Sequence, residues 1–193
     1  MEMQECHMCD KKQTDNTKYK TRPLHKISIT EKERAFNFRT AALILRGSEV
    51  LFHTIEGNNF WVLPGGRVHM GESSIEALHR EIAEELGARI EIVRPLWVVE
   101  NFFVHQKKLH QNIGFYYLTR FKSPCDFYDA NEVFQRQEGG ETLLFQWLSP
   151  DQIMEETCFP AFLKERVNSL PSVLEHVVHW DDVSPDIIAR GLE

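Results

Sequence analysis

Five acids, Glu72, Glu76, Glu81, Glu84 and Glu85, fall between Gly66 and Ala88, in a stretch that reads as a loop running into a helix. An α-helix turns about 100° per residue, so with Glu81 at the origin Glu85 lies about 40° to one side and Glu84 about 60° to the other. The three carboxylates share one arc. Ile75, Leu78, Ile82 and Leu86 fill an adjacent arc from about 60° to 140°, the pattern of a helix with one face in a core. Like charges three and four residues apart repel one another. A hard divalent cation neutralises them, and Mg²⁺ is usually held by one or two carboxylates together with substrate phosphates and water. The absence of a Cys-His or Ser-His pair beside the acids favours metal-assisted attack by water over a covalent intermediate.

The surrounding residues can position these acids. Pro64-Gly65-Gly66 is a turn whose glycines allow backbone to approach a ligand closely. Ser73 or Ser74 can cap the helix start, and Gly87 stands where a helix ends in a left-handed residue. Arg80 precedes the acid cluster and can pair with Glu72, fixing the loop against the helix.

The segment resembles the Nudix box, Gly-x5-Glu-x7-Arg-Glu-U-x-Glu-Glu-x-Gly-U, where U is a bulky aliphatic residue. Gly66, Glu72, Arg80, Glu81, Ile82, Glu84, Glu85 and Gly87 match at the required spacing, and only Ala88 departs, standing where a bulkier residue is usual. Trp61-Val62-Leu63-Pro64-Gly65-Gly66 is similar to the usual run into the box, and the likeness extends from about Phe36 to Leu148.

The resemblance implies an α/β fold, a Nudix-type α/β/α sandwich with a mixed central sheet. It implies hydrolysis of the pyrophosphate bond in a nucleoside diphosphate linked to another moiety X. Under it Glu81, Glu84 and Glu85 coordinate Mg²⁺ or Mn²⁺, with a carbonyl of Gly65 or Gly66 as a further ligand, while Gly66, Glu72, Arg80 and Gly87 shape the box. The general base is open between Glu84 or Glu85 and an acid of a later loop, Glu138 or Glu141, with Glu132 a weaker choice. Gly139-Gly140 would let that loop close over substrate. Arg39, on the first core strand, and His69, in the box loop, are candidate phosphate contacts, beside Gly65 and Gly66. Aromatic residues such as Phe36, Trp61, Phe102 and Tyr116 could stack on a base or simply fill the core. Signatures of NADH pyrophosphatases, of many ADP-ribose hydrolases and of diadenosine-polyphosphate hydrolases are not found. The alternatives are a catalytically silent nucleotide-sensing module on the same fold, and an isoprenoid diphosphate isomerase, for which no cysteine is suitably placed.

Composition sets outer limits. The chain has 193 residues and a net charge of −7, which argues against a general nucleic-acid binder. No run of 18 apolar residues and no signal-peptide core is visible, so no membrane association and a cytoplasmic location are expected. The partner is a small nucleotide-like substrate, and a homodimer is the assembly the family suggests. Cys6-His7-Met8-Cys9 has the spacing of half a zinc site but lacks a second close pair, so reduced thiols are the expectation.

Three parts are expected: an N-terminal extension over 1–35 with a strand at 26–30, a hydrolase domain over 36–170, and a tail over 171–193. Within the domain, strands are expected at 38–45, 49–54, 89–104 (broken by Pro95), 109–121 and 142–148. Helices are expected at 73–86, 152–156 and 159–170, with 122–141 a long polar loop.

Overall fold

A computed structural model describes residues 25–123 and 125–181, so Cys6 and Cys9 lie outside the described residues. The chain runs β1 (Ser28–Glu31), β2 (Arg34–Arg46), β3 (Glu49–Ile55), β4 (Trp61–Val62), β5 (Gly65–Arg67), α1 (Ser74–Leu86), β6 (Ile90–His105) and β7 (Lys108–Phe121). It continues through β8 (Phe134–Glu138), β9 (Glu141–Leu148), α2 (Pro150–Glu155), β10 (Cys158–Phe159), α3 (Leu163–Arg166) and β11 (Glu175–Asp181).

The strands join in the order β10-β4-β3-β2-β7-β6-β11, with β1 and β5 also paired to β2 and the β8–β9 hairpin attached to β3. The sheet is mixed: β2·β7, β6·β11 and β4·β10 are parallel and the remaining pairs antiparallel. Alternation along β2 divides the core in two. Ala42 and Ile44 face one side, where Leu78, Ile82 and Leu86 of α1 pack on them. Leu43 faces the other, with Ile153 of α2 and Leu163 of α3. Helix on both faces of a mixed sheet is the α/β/α arrangement expected from the sequence.

The structure departs from the sequence reading at four places. The expected loop over 122–141 contains β8, in which only Phe134 is a large apolar residue and the rest read as solvated chain. Its hairpin with β9 turns through Gly139 and Gly140, at φ 56° and 90°. The helix expected over 159–170 is a single turn at Leu163–Arg166, because Cys158–Phe159 instead pairs with β4. Pro95 does not break β6; register shifts at Ile92/Arg94 and Pro95/Trp97 accommodate it. Finally, residues 175–181, counted with the tail, form β11 along the whole of Trp97–Phe103.

Candidate active site

Helix α1 is fixed at both ends. Ser73 Oγ accepts from the Glu76 amide at 3.2 Å, and Glu76 Oε2 accepts from the Ser73 amide at 2.9 Å. This reciprocal capping box satisfies two of the amides a helix start leaves open. At the far end Gly87 takes φ 64° and its amide donates to the Ala83 carbonyl.

Arg80 is the hub of the loop–helix junction. Its Nε and Nη2 donate to the two oxygens of Glu72 at 2.8 and 3.0 Å, and Nη2 also donates to the Arg67 carbonyl at 3.0 Å. Nη1 reaches Glu81 at 2.8 Å and Glu84 at 2.9 Å. Partial burial pushes the Glu72 carboxyl up, but hydrogen bonds from Arg80 and the His69 amide outweigh it and hold the group below its ordinary value. One guanidinium thus serves three carboxylates and leaves the cluster negative. Arg80 itself is held above its usual range, first by the Glu72 hydrogen bond.

The glycines of the turn are there by necessity. A Cβ on Gly66 would lie 2.3 Å from the Glu81 carboxyl carbon, and one on Gly65 would lie 2.3 Å from the Thr40 carbonyl oxygen. The Gly65 amide donates to Glu85 Oε2 at 3.0 Å, so the role visible for Gly65 is that of a donor. Glu85 is 4% exposed, and its carboxyl is raised well above its ordinary value by burial and then by the charges of Glu138 and Glu81.

Strand β8 carries Glu138 to the same place. One ligand oxygen each of Glu81, Glu84 and Glu138 lies within 4.8 Å of the others. Burial and the charges of Glu81 and Glu84 raise the Glu138 carboxyl. Three oxygens so close, on side chains whose charges disfavour one another, suit a hard divalent cation. Glu141 is exposed across the hairpin from Glu138 and takes no part in this convergence.

The remaining sequence candidates fall at different distances from the acids. Arg39 lies on β2 between Arg67 of β5 and Gly114 of β7, and burial, then the Arg67 charge, hold its pKa below the ordinary value, only partly opposed by Tyr116, Glu81 and Glu85. His69 donates its amide to Glu72 Oε2 at 3.1 Å, with Nδ1 3.7 Å from the same oxygen. It belongs to the Glu72–Arg80 clamp and not to the Glu81–Glu84–Glu138 group.

Two features escape sequence reading. The segment before β1 pairs with the box loop: Ile27 donates to the Val68 carbonyl at 2.8 Å and Lys26 bridges to His69, and the Lys26 charge pulls the Glu138 carboxyl down. His53, in the apolar run of β3, is 7% exposed and lies with Nε2 3.8 Å from Glu85 Oε1. Burial, then the Arg39 charge, lowers its pKa to about 4, so the ring is neutral near pH 7. The only signal for it was a histidine inside an otherwise apolar strand.

Comparison with known proteins bears on the family and the fold. The model of the NUDIX domain matches residues 35–168. A MutT4 mutator-protein relative from Mycobacterium tuberculosis is 33% identical over 66 residues, which is 34% of this chain and 26% of that protein. The chain therefore spans about a quarter of that relative's length. A UDP-X diphosphatase crystal structure superposes with a TM-score of 0.51 at 24% identity, covering 68% of this chain and 59% of that one. The MutT protein of Bacillus halodurans gives a TM-score of 0.53 at 18% identity, covering 78% of this chain and 92% of its own.

Proposed function

Because this chain belongs to the NUDIX domain family, we propose that it is a divalent-metal-dependent pyrophosphohydrolase acting on a nucleoside diphosphate linked to another moiety X. The observation that carries this reading is the convergence within 4.8 Å of Glu81 and Glu84, on a helix locked to its loop by Arg80, with Glu138 of β8. In this reading Glu81 and Glu84, with Glu85 as the resemblance implies, hold Mg²⁺ or Mn²⁺; the oxygens that converge within 4.8 Å are those of Glu81, Glu84 and Glu138, and Glu85 is not among them. A cation bound there supplies Lewis-acid polarisation of the phosphate oxygens and offsets charge on the leaving phosphate.

The chain's own groups do the rest. Arg80 fixes Glu81 and Glu84, and the Gly65 amide fixes Glu85. Arg39 supplies a fixed positive group beside Glu81 and Glu85 for a substrate phosphate. Glu138 is the acid of the later segment that reaches the cluster, and that position suits it to take the proton of the attacking water. Among the described residues no helix is long and apolar enough to cross a membrane.

The test is phosphate release from a panel that includes nucleoside triphosphates and UDP-linked compounds, the latter because a protein of similar fold is named a UDP-X diphosphatase. Each compound is assayed with Mg²⁺ and with EDTA, with and without added phosphatase. Turnover that needs Mg²⁺ and yields phosphate only after phosphatase treatment supports cleavage inside a diphosphate bridge. Tight nucleotide binding without turnover of any compound would favour a sensing module.

A further inference from the structure

We infer that His53 is a positioning residue for Glu85, bearing on its Oε1 while the Gly65 amide fixes Oε2; this rests on the hydrolase reading above. Glu85 has two carboxylate oxygens with different surroundings. Oε2 is fixed by the Gly65 amide at 3.0 Å, and Oε1 is faced by His53 Nε2 at 3.8 Å. Both side chains are buried, at 9% and 4% exposure, so neither contact is exchanged freely with bulk water.

His53 is itself rigidly held. It sits opposite Val62 of β4 and Phe145 of β9, and its ring stacks on Phe145 at 5.3 Å with planes 18° apart. Phe145 stacks in turn on Phe134 of β8 at 5.4 Å, and β8 ends in Glu138. The ring stack therefore links the residue behind Glu85 to the strand that delivers Glu138, the acid whose charge Glu85 feels most.

Packing alone does not explain the residue type. The position is apolar and stacked, and a phenyl ring would satisfy it. Nδ1 is buried without a hydrogen bond of ordinary geometry, while the ring has a contact with the Leu63 backbone. What the imidazole adds over a phenyl ring is that backbone contact and an Nε2 placed 3.8 Å from Glu85 Oε1. Groups behind a metal-binding side chain that fix its orientation commonly change affinity or activity when removed.

His53→Phe keeps the stacked ring and removes both nitrogens, the contact with Glu85 and that with the Leu63 backbone. We expect kcat to fall about 10-fold with KM little changed, and Mn²⁺ affinity, read by EPR titration of the free ion, to weaken about 10-fold. Thermal stability should change by no more than a few degrees. His53→Gln, which restores a polar group at the cost of the stack, should recover part of the Mn²⁺ affinity while lowering Tm. Wild-type kcat and Mn²⁺ affinity in His53→Phe would overturn the inference and leave the hydrolase reading standing. A wild-type protein that neither binds Mn²⁺ nor hydrolyses the panel would overturn both.

Discussion

The Arg80 guanidinium grips Glu72 through two parallel hydrogen bonds, Nε to Oε1 at 2.8 Å and Nη2 to Oε2 at 3.0 Å. That fork spans eight residues of sequence and ties the box loop to the first half of α1. A lysine cannot reproduce it, because an ammonium is a point charge without the planar donor pair. Arg80→Lys should keep the fold yet lose about 10- to 100-fold in kcat/KM, with Tm lower by a few degrees. Steady-state kinetics and a thermal melt check this, and unchanged kcat/KM would count against the clamp as a positioning device.

Gly66 leaves room for the Glu81 carboxyl. Gly66→Ala forces a methyl into that space, and the carboxylate is the part that can move. Displacing a site group by about 1 Å can cost about 100-fold in rate. We expect at least that loss in kcat, with far-UV circular dichroism unchanged.

Glu138 and Glu141 face each other across a hairpin, yet only Glu138 reaches Glu81 and Glu84. Glu138→Gln should lower kcat by about 100-fold or more, the range for loss of a general base. Glu141→Gln should leave it near wild type. Parallel kinetics on the two variants decide the assignment, and equal losses would remove Glu138 from the role.

His53 gives a pH dependence with a definite sign. Its folded pKa of about 4 lies below the ordinary 6.5, so the folded state favours the neutral ring. The stabilisation is present above pH 6.5 and is lost as pH falls through 4. The full loss is on the order of 3 kcal/mol. Glu85 and Glu138 are raised, so in metal-free protein they act in the opposite sense and disfavour the folded state as pH rises through their folded values. Comparing urea melts of wild type and His53→Phe without metal isolates the histidine. The variant should lose less stability between pH 6.5 and pH 4 than wild type does.

Asp181 closes the C-terminal strand onto the domain. Its Oδ2 accepts from Asn101 at 2.9 Å, and its Oδ1 accepts from the Ala161 amide at 2.7 Å and lies 2.9 Å from His179 Nε2. Asp181→Ala would strand the buried Asn101 side-chain amide and the partly buried Ala161 amide, a cost of about 1–3 kcal/mol for a buried group left unpaired. A drop in Tm of roughly 5–10 °C is expected, with the acid cluster and metal binding intact.

The parts legible in sequence were those that local chemistry dictates. Ser73, Gly87 and the Leu78–Ile82–Leu86 stripe announced α1 and its ends, and the spacing of Glu72 and Arg80 announced their pairing. The parts that were not legible depend on distant partners. β8 is a polar strand that exists because Phe134 stacks on Phe145 and β9 supplies its ladder. β11 is held by β6 and by an Asn101–Asp181 contact between residues 80 positions apart. His53 looked like one more strand residue because nothing local links it to Glu85, 32 positions downstream.

The most direct test of the central claim is hydrolysis of the best panel substrate in ¹⁸O-labelled water, with mass spectrometry of both products, for wild type and Glu84→Gln in Mg²⁺ and in EDTA. The account predicts one ¹⁸O atom on a phosphoryl group of one product in wild type with Mg²⁺, and little or no product in EDTA or in the variant. Turnover that persists in EDTA, or product without label at phosphorus, would contradict it.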